Sequence, residues 1–287
     1  MTTLTVRKLN IDLSTGFARH WHGGDAFRSQ YFNALSMSFP VGEQYFIDSV
    51  RAGAALLPQD AAHQHLHDLV RGFIGQEATH RHVHGLYNAQ LEKQGLINIW
   101  ARLATWRIEL SRNLHVLHQL AVTAAYEHCT AVFAEGTLRY SSWFDAAEPK
   151  MRTLWLWHAV EETEHRAVAF DVYQALGGGT LRRSLWFAYV LVLFSLDAGV
   201  QTTLNLWRDK ALFKPGTWWS ATTFFFGRDG VAWRCTLPLL AYFKPGFHPA
   251  GHTSTASANS GDALAGEWLA SHADEWRAVG KTSPDAL

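Results

Sequence analysis

The chain has 287 residues, with 25 Lys and Arg balancing 25 Asp and Glu, so its formal net charge is zero. That balance gives no bulk attraction to nucleic acid or to an anionic membrane, and no nucleic-acid partner is expected. Two cysteines, Cys129 and Cys235, are too few for a disulfide framework or a cysteine-rich zinc site. The N-terminus lacks an apolar run, so no signal peptide is visible and the cytoplasm is the default compartment. Hydrophobic residues at 48 %, including 13 Trp and 17 Phe, supply a thick core, or one that must accommodate something apolar.

In chain order, residues 1–24 read as a polar N-terminal arm. Helical periodicity starts near Asp25 and runs to Leu57, with Pro40 either kinking that helix or restarting it. Pro58 is well placed to open a second helix, which continues to about Gln94 with Gly95 as its stop. A third helical stretch spans roughly Ser111 to Tyr140. Pro149 opens a fourth, which Gly177-Gly-Gly179 closes. Beyond it, Leu185 to Phe194 is apolar all round, but Ser195 and Asp197 end it short of about 20 residues, which argues against a transmembrane span. A buried covering helix is the plainer reading. A membrane-resting face that admits a lipid-like substrate is the sharper one, and Trp218-Trp219 and Phe224-Phe-Phe226 would serve either. The expected organisation is a helical domain over 25–250, with core helices in 25–177 and covering helices in 180–247. Residues 251–287 would form a loose appendage with a short helix, and the Ser/Thr/Ala/Gly-rich His252 to Ser260 its loosest part.

Each of the first four helices carries an apolar stripe interrupted by acid. Phe32, Leu35, Phe46 and Val50 share a face with Glu43. Val70 and Phe73 lead to Glu77, His80 and His84. Leu120 and Ala124 lead to Glu127, then Ala131 and Ala134. Leu154 and Trp155 lead to His158, Glu162 and His165, then Val168 and Val172. An ionised Glu on a core face costs several kcal/mol unless something compensates it. Four such breaches, one per helix, ask for one shared compensation, and a dinuclear metal centre supplies it. With 12 Glu and 16 His in the chain, a Glu-x-x-His pair arises by chance roughly 0.7 times, so a lone one is uninformative. His158-x-x-x-Glu162-x-x-His165 is a rarer pattern, and at about 100° per residue its three donors lie on one helix face.

Several residues carry plainer alternatives. Glu43 follows Pro40 closely enough to be a first-turn acid satisfying a helix N-terminus. Glu135 rivals Glu127 but falls off the small-residue stripe. His158 is either a ligand or a hydrogen-bonded core histidine. Glu161 and Glu164 point away from the stripe and read as solvated or helix-pairing charges. His63, His65 and His67 repeat every two residues, as do His80, His82 and His84, and on a helix alternate members diverge by about 200°, so neither set forms a triad.

The order Glu43, Glu77 with His80, Glu127, and Glu162 with His165 resembles the ligand set of ferritin-like di-iron and di-manganese bundles. That resemblance implies an all-α, ferritin-like four-helix bundle with additional C-terminal helices. His158, one turn before Glu162, resembles the extra histidine of di-iron enzymes of the p-aminobenzoate N-oxygenase type, which oxidise arylamines with dioxygen. Over nearly its full length the chain also resembles a bacterial family described as predicted metal-dependent hydrolases. The similar segments are Phe39-Pro-Val-Gly-Glu-Gln-Tyr-Phe46, Gln76-Glu-Ala-Thr-His80, Glu161-Glu-Thr-Glu-His165 and Lys244-Pro-Gly-Phe-His-Pro249.

The resulting expectation is an oxidoreductase holding two iron ions, with manganese or a mixed pair as the variant. It would use dioxygen and a reductase as electron donor to oxidise a small or apolar organic substrate. The alternatives are a metal-dependent hydrolase at the same site, and metal storage or sensing without catalysis. Glu43, Glu77, His80, Glu127, His158, Glu162 and His165 are the candidate ligands. His84, Tyr31, Phe73, Tyr87 and Trp155 are the candidates for the surrounding pocket. A peripheral membrane contact and a homodimer stay open.

Overall fold

A computed structural model of the chain describes residues 3–251 and 260–279. A short strand β1 (Arg7–Leu9) precedes α1 (Ala26–Ala54), α2 (Gln64–Lys93), α3 (Trp100–Ser111), α4 (Val116–Arg139) and α5 (Pro149–His165). Then follow α6 (Val168–Ala175), α7 (Thr180–Arg208), α8 (Pro215–Phe226), α9 (Val231–Ala241), α10 (Gly261–Ser271) and strand β2 (Trp276–Ala278). Among the described residues the fold is all-α apart from one two-stranded antiparallel ribbon, in which Arg7 pairs with Ala278 and Leu9 with Trp276. The expected loose stretch from His252 lies outside the described residues except for Ser260. There the Ser260 hydroxyl caps α10 by accepting from the Ala263 amide at 3.2 Å.

Local chemistry sets the helix ends. Asp25 caps α1 by accepting from the Arg28 amide at 3.0 Å. Gly95, at φ +85°, follows α2 in the left-handed region that stops a helix, and Pro149 and Pro215 sit in the first turn of α5 and α8. Pro40 neither restarts nor ends α1, which runs through it unbroken. Its missing N–H frees the Ser36 carbonyl, and the Asn88 amide from α2 donates to that oxygen at 2.9 Å. Glu43 therefore stands in mid-helix, and the first-turn alternative is removed.

Other boundaries differ from expectation. Residues after Pro58 form turns, and α2 opens only at Gln64, because the Asp60 carboxylate takes both the amide (3.0 Å) and Nδ1 (2.7 Å) of His63. α3 was not expected: of its residues only Trp100 is buried, so it lacks a clear apolar stripe. The fourth expected helix is two, broken after His165. At the break the Arg166 guanidinium bonds the Thr163 carbonyl and forks onto Asp262 of α10. α7 does not end at Ser195 or Asp197 but continues to Arg208. The Ser195 hydroxyl bonds back to the Leu191 carbonyl at 2.8 Å, and Asp197 is buried and paired with Arg107 of α3. By length and composition α7 is apolar enough to cross a membrane.

α1 packs on α2 and α4, α5 packs on α4 and α2, and α7 lies along α1 and α4. Two apolar clusters fill the interior. One is built around Trp21, Phe32, Phe144 and Trp155, the other around Val50, Phe73, Leu120 and Phe170. The interior also holds buried polar side chains, the acids and histidines of the inward helix faces among them.

Candidate metal centre

Helical spacing aims the acids inward, and the packing brings four helices' worth of them together. Glu43 comes from α1, Glu77 and His80 from α2, Glu127 from α4, and His158, Glu162 and His165 from α5. None of these seven is more than 5 % exposed. Their donor atoms fall into two groups, Glu43 with His80 and His158, and Glu77 with Glu162 and His165, each within 4.8 Å. Glu127 joins the second group, its carboxylate 3.3 Å from His165 Nε2. One atom links the groups: Glu162 Oε1 lies 3.1 Å from His158 Nε2, 3.4 Å from His80 Nδ1 and 3.6 Å from His165 Nε2.

Each imidazole turns one nitrogen to this interior and the other to a polar partner. His80 Nε2 is 3.0 Å from Glu161, and Arg7 of β1 reaches the same carboxylate at 3.3 Å. His165 Nδ1 is 3.1 Å from the Gln76 amide oxygen, while Gln76 donates to Glu164 at 2.8 Å. His158 Nδ1 is 2.9 Å from His84 Nε2, His84 Nδ1 is 2.9 Å from the Ser36 hydroxyl, and that hydroxyl donates to Asn88. Such outer partners fix ring orientation and tautomer and leave the inner nitrogen a lone pair for a cation. Glu161 and Glu164 are thus not simply solvated or helix-pairing charges. Glu161 is fully buried, and Glu164 forks onto Arg7 at 2.7 and 2.8 Å.

The interior is short of positive charge. Neither oxygen of Glu43, Glu77 or Glu127 accepts an aligned hydrogen bond, although all are buried. Burial, with Glu77 beside it, holds the Glu43 carboxyl well above its usual range. Burial also pushes Glu127 up to about 8, against the pull of His165. Burial disfavours charge on His80, but Glu161 and Glu162 outweigh it and raise that imidazole to about 10. His165 is raised likewise, by Glu127 and Glu162 against burial. Burial and then His80 push His158 down to about 4, so it stays neutral. Without cations, Glu43, Glu127, His80 and His165 hold protons in their place. Four carboxylates and three imidazoles with backed nitrogens are a donor set that two divalent ions would neutralise.

The remaining candidates lie around this cage. Tyr31 and Trp155, with Leu35 and Phe39, line a cavity of about 40 Å³ that reaches His158 and Glu162. Phe73 stands edge-on to His165 with ring centroids 5.0 Å apart, and Tyr87 donates to Asn33 at 2.6 Å; neither lines a cavity described here. Phe39 stacks on His158 at 4.8 Å, so an apolar ring covers that imidazole. A second cavity, of about 150 Å³, reaches Glu43 from between α3 and α7. Glu135 pairs with Arg139 on the surface side of α4. His63 bonds Asp60, His67 bonds the Pro58 carbonyl at 3.1 Å, and His65 and His82 are exposed, so these rings do not converge.

Sequence reasoning missed Arg7, Gln76 and Glu161 as supports. A signal was present: Gln76 and Glu161 each immediately precede the Glu of a Glu-x-x-His pair. Residues 5–253 match a family model described as a predicted metal-dependent hydrolase. No curated protein and no solved structure matches the chain.

Proposed function

The chain belongs to the family of predicted metal-dependent hydrolases, and from that premise we propose that the cage is the dinuclear metal centre of a metal-dependent enzyme. The observation that carries this reading is the set of buried, unpartnered carboxylate oxygens on Glu43, Glu77 and Glu127, facing imidazole nitrogens of His80, His158 and His165, of which His158 and His165 are already hydrogen-bonded on their far sides. Glu43, His80 and His158 would hold one ion, and Glu77, Glu127 and His165 the other, with Glu162 between them. When bound, such a pair would activate a water for hydrolysis or, as iron, pass electrons to dioxygen.

Family membership favours hydrolysis. In that reading Tyr31, Leu35, Phe39 and Trp155 cover His158 and Glu162 and exclude bulk water from the cage. His80 and His165 keep their inner nitrogens aimed by Glu161 and Gln76, so the site spends little reorganisation on binding its ions. One observation favours the second reading, oxidation of a small or apolar substrate in a ferritin-like, di-iron site. His158 is a third imidazole, held neutral and pointed at Glu162, as in the histidine-enriched sites the sequence resembles. That chemistry would require a reductase.

Elemental analysis with anomalous diffraction, on protein from iron- and manganese-supplemented cells, tests the centre. Two ions within bonding distance of Glu162 are expected, and finding none sinks both readings. Anaerobic cleavage of a panel of apolar esters and amides supports hydrolysis. Product formation that stops without dioxygen supports oxidation instead.

A further inference from the structure

Residues 180–250 differ in charge from the rest of the chain. They carry eight Lys and Arg against three Asp and no Glu, although the whole chain is neutral. None of the three acids is exposed: Asp197 is buried and paired with Arg107, Asp209 binds His20 at 2.5 Å, and Asp229 pairs with Arg234 at 2.9 Å. Among the described residues of this segment every exposed charge is therefore positive, Lys210, Lys214 and Lys244 among them.

The same segment exposes apolar surface in a continuous stripe. On α7, Leu185, Tyr189, Val192, Leu196 and Val200 recur at helical spacing and are 49–64 % exposed, and between Ser184 and Leu206 the only charge is the buried Asp197. Phe213 and Trp219, next along the chain, are 87 % and 72 % exposed. α3 lies beside α7 and adds Leu103, Trp106 and Leu110, while its exposed acid Glu109 is paired with Arg112 at 2.6 Å. Isolated exposed apolar residues need no partner, but a stripe of this extent does.

We propose that this face rests on an anionic lipid bilayer, with α7 lying in the membrane surface and the flanking cations meeting headgroups. Spanning is excluded by packing, since the inner side of α7 lies against α1 and α4 and buries Asp197. A second copy fits less well. A self-complementary contact through the stripe would set cations near cations, with no exposed acid from the segment to pair them. The cavity of about 150 Å³ that reaches Glu43 opens within this face, since its lining includes the exposed Leu114 and Tyr189. A cavity of that size holds a benzene-sized group. The bilayer is then the route by which the apolar end of an amphiphile reaches the cage, a role that rests on the cage being catalytic.

Docking is testable apart from catalysis by co-sedimentation of the full chain with vesicles. Binding to phosphatidylcholine vesicles containing phosphatidylglycerol should exceed binding to phosphatidylcholine alone by about fivefold or more, and fall with added salt. The double variant Val192→Asp/Leu196→Asp, and independently Phe213→Asp, should lose most of that binding with an unchanged melting temperature, and Lys210→Glu/Lys214→Glu should remove the anionic preference. Glu162→Ala, which empties the proposed cage, should still sediment, so a failed metal centre and a failed docking face give different results. No sedimentation of the native chain with anionic vesicles overturns the proposal. So does a native dimer in solution that Phe213→Asp dissociates, which would make the face a self-interface.

Discussion

The two Glu-x-x-His helices mirror one another, yet their supports are not equivalent. In α2, Gln76 precedes Glu77 and bonds His165 of α5; in α5, Glu161 precedes Glu162 and approaches His80 of α2. Each helix thus orients the other's histidine with the residue just before its own glutamate. The supports differ in charge: His80 is backed by a carboxylate that Arg7 holds, His165 by a neutral amide. A carboxylate partner makes an imidazole a stronger donor than an amide does. Two positions with similar geometry should therefore bind their ions unequally, and His158 adds a further nitrogen on the His80 side.

The largest effect should come from removing what the two halves share. Glu162→Ala should weaken both positions by about 100-fold or more, because Glu162 Oε1 faces all three imidazoles. Stepwise metal titration by calorimetry reads both affinities, and loss at one position alone would mean that Glu162 does not link them. Next come the supports themselves. Glu161→Gln should weaken the His80 position by about 10- to 100-fold and Gln76→Leu the His165 position by less, about tenfold. Equal losses in the two variants would erase the asymmetry. Arg7→Leu, which frees Glu161 to reorient, should reproduce part of the Glu161→Gln effect with the second position unchanged.

The smallest effect is on pH. In the metal-free protein Glu127 is raised to about 8 and His80 to about 10, so both hold protons near neutrality. A metal must displace them, so affinity should rise with pH, by about tenfold per unit for each proton released, from about pH 6 to about pH 8. A flat titration over that range would show that the protons are held elsewhere.

The site was legible in the sequence as far as one helix face extends. Offsets of three and four residues fix which side chains share a face, and Glu77 with His80 and His158 with Glu162 and His165 needed nothing more. Glu161 was misread because its fate depends on which neighbour faces it. One residue before Glu162, it turns away from α5's own stripe and would be solvated, had α2 and β1 not brought His80 and Arg7 against it. Arg7 lies 154 residues from Glu161, beyond any local pattern. Likewise Asp197 reads as the end of an apolar run until Arg107 of α3 is placed beside it, and then α7 continues for more than two further turns.

The helical character, the inward acids and the need for something cationic among them were readable from the residues alone, because they follow from local periodicity and from the cost of burying charge. Packing settled which carboxylates stay with a guanidinium and which are left without a partner. It also decided which side of α7 faces outward. Those outcomes depend on the approach of elements distant in sequence, whose pairing the 3.6-residue repeat does not encode.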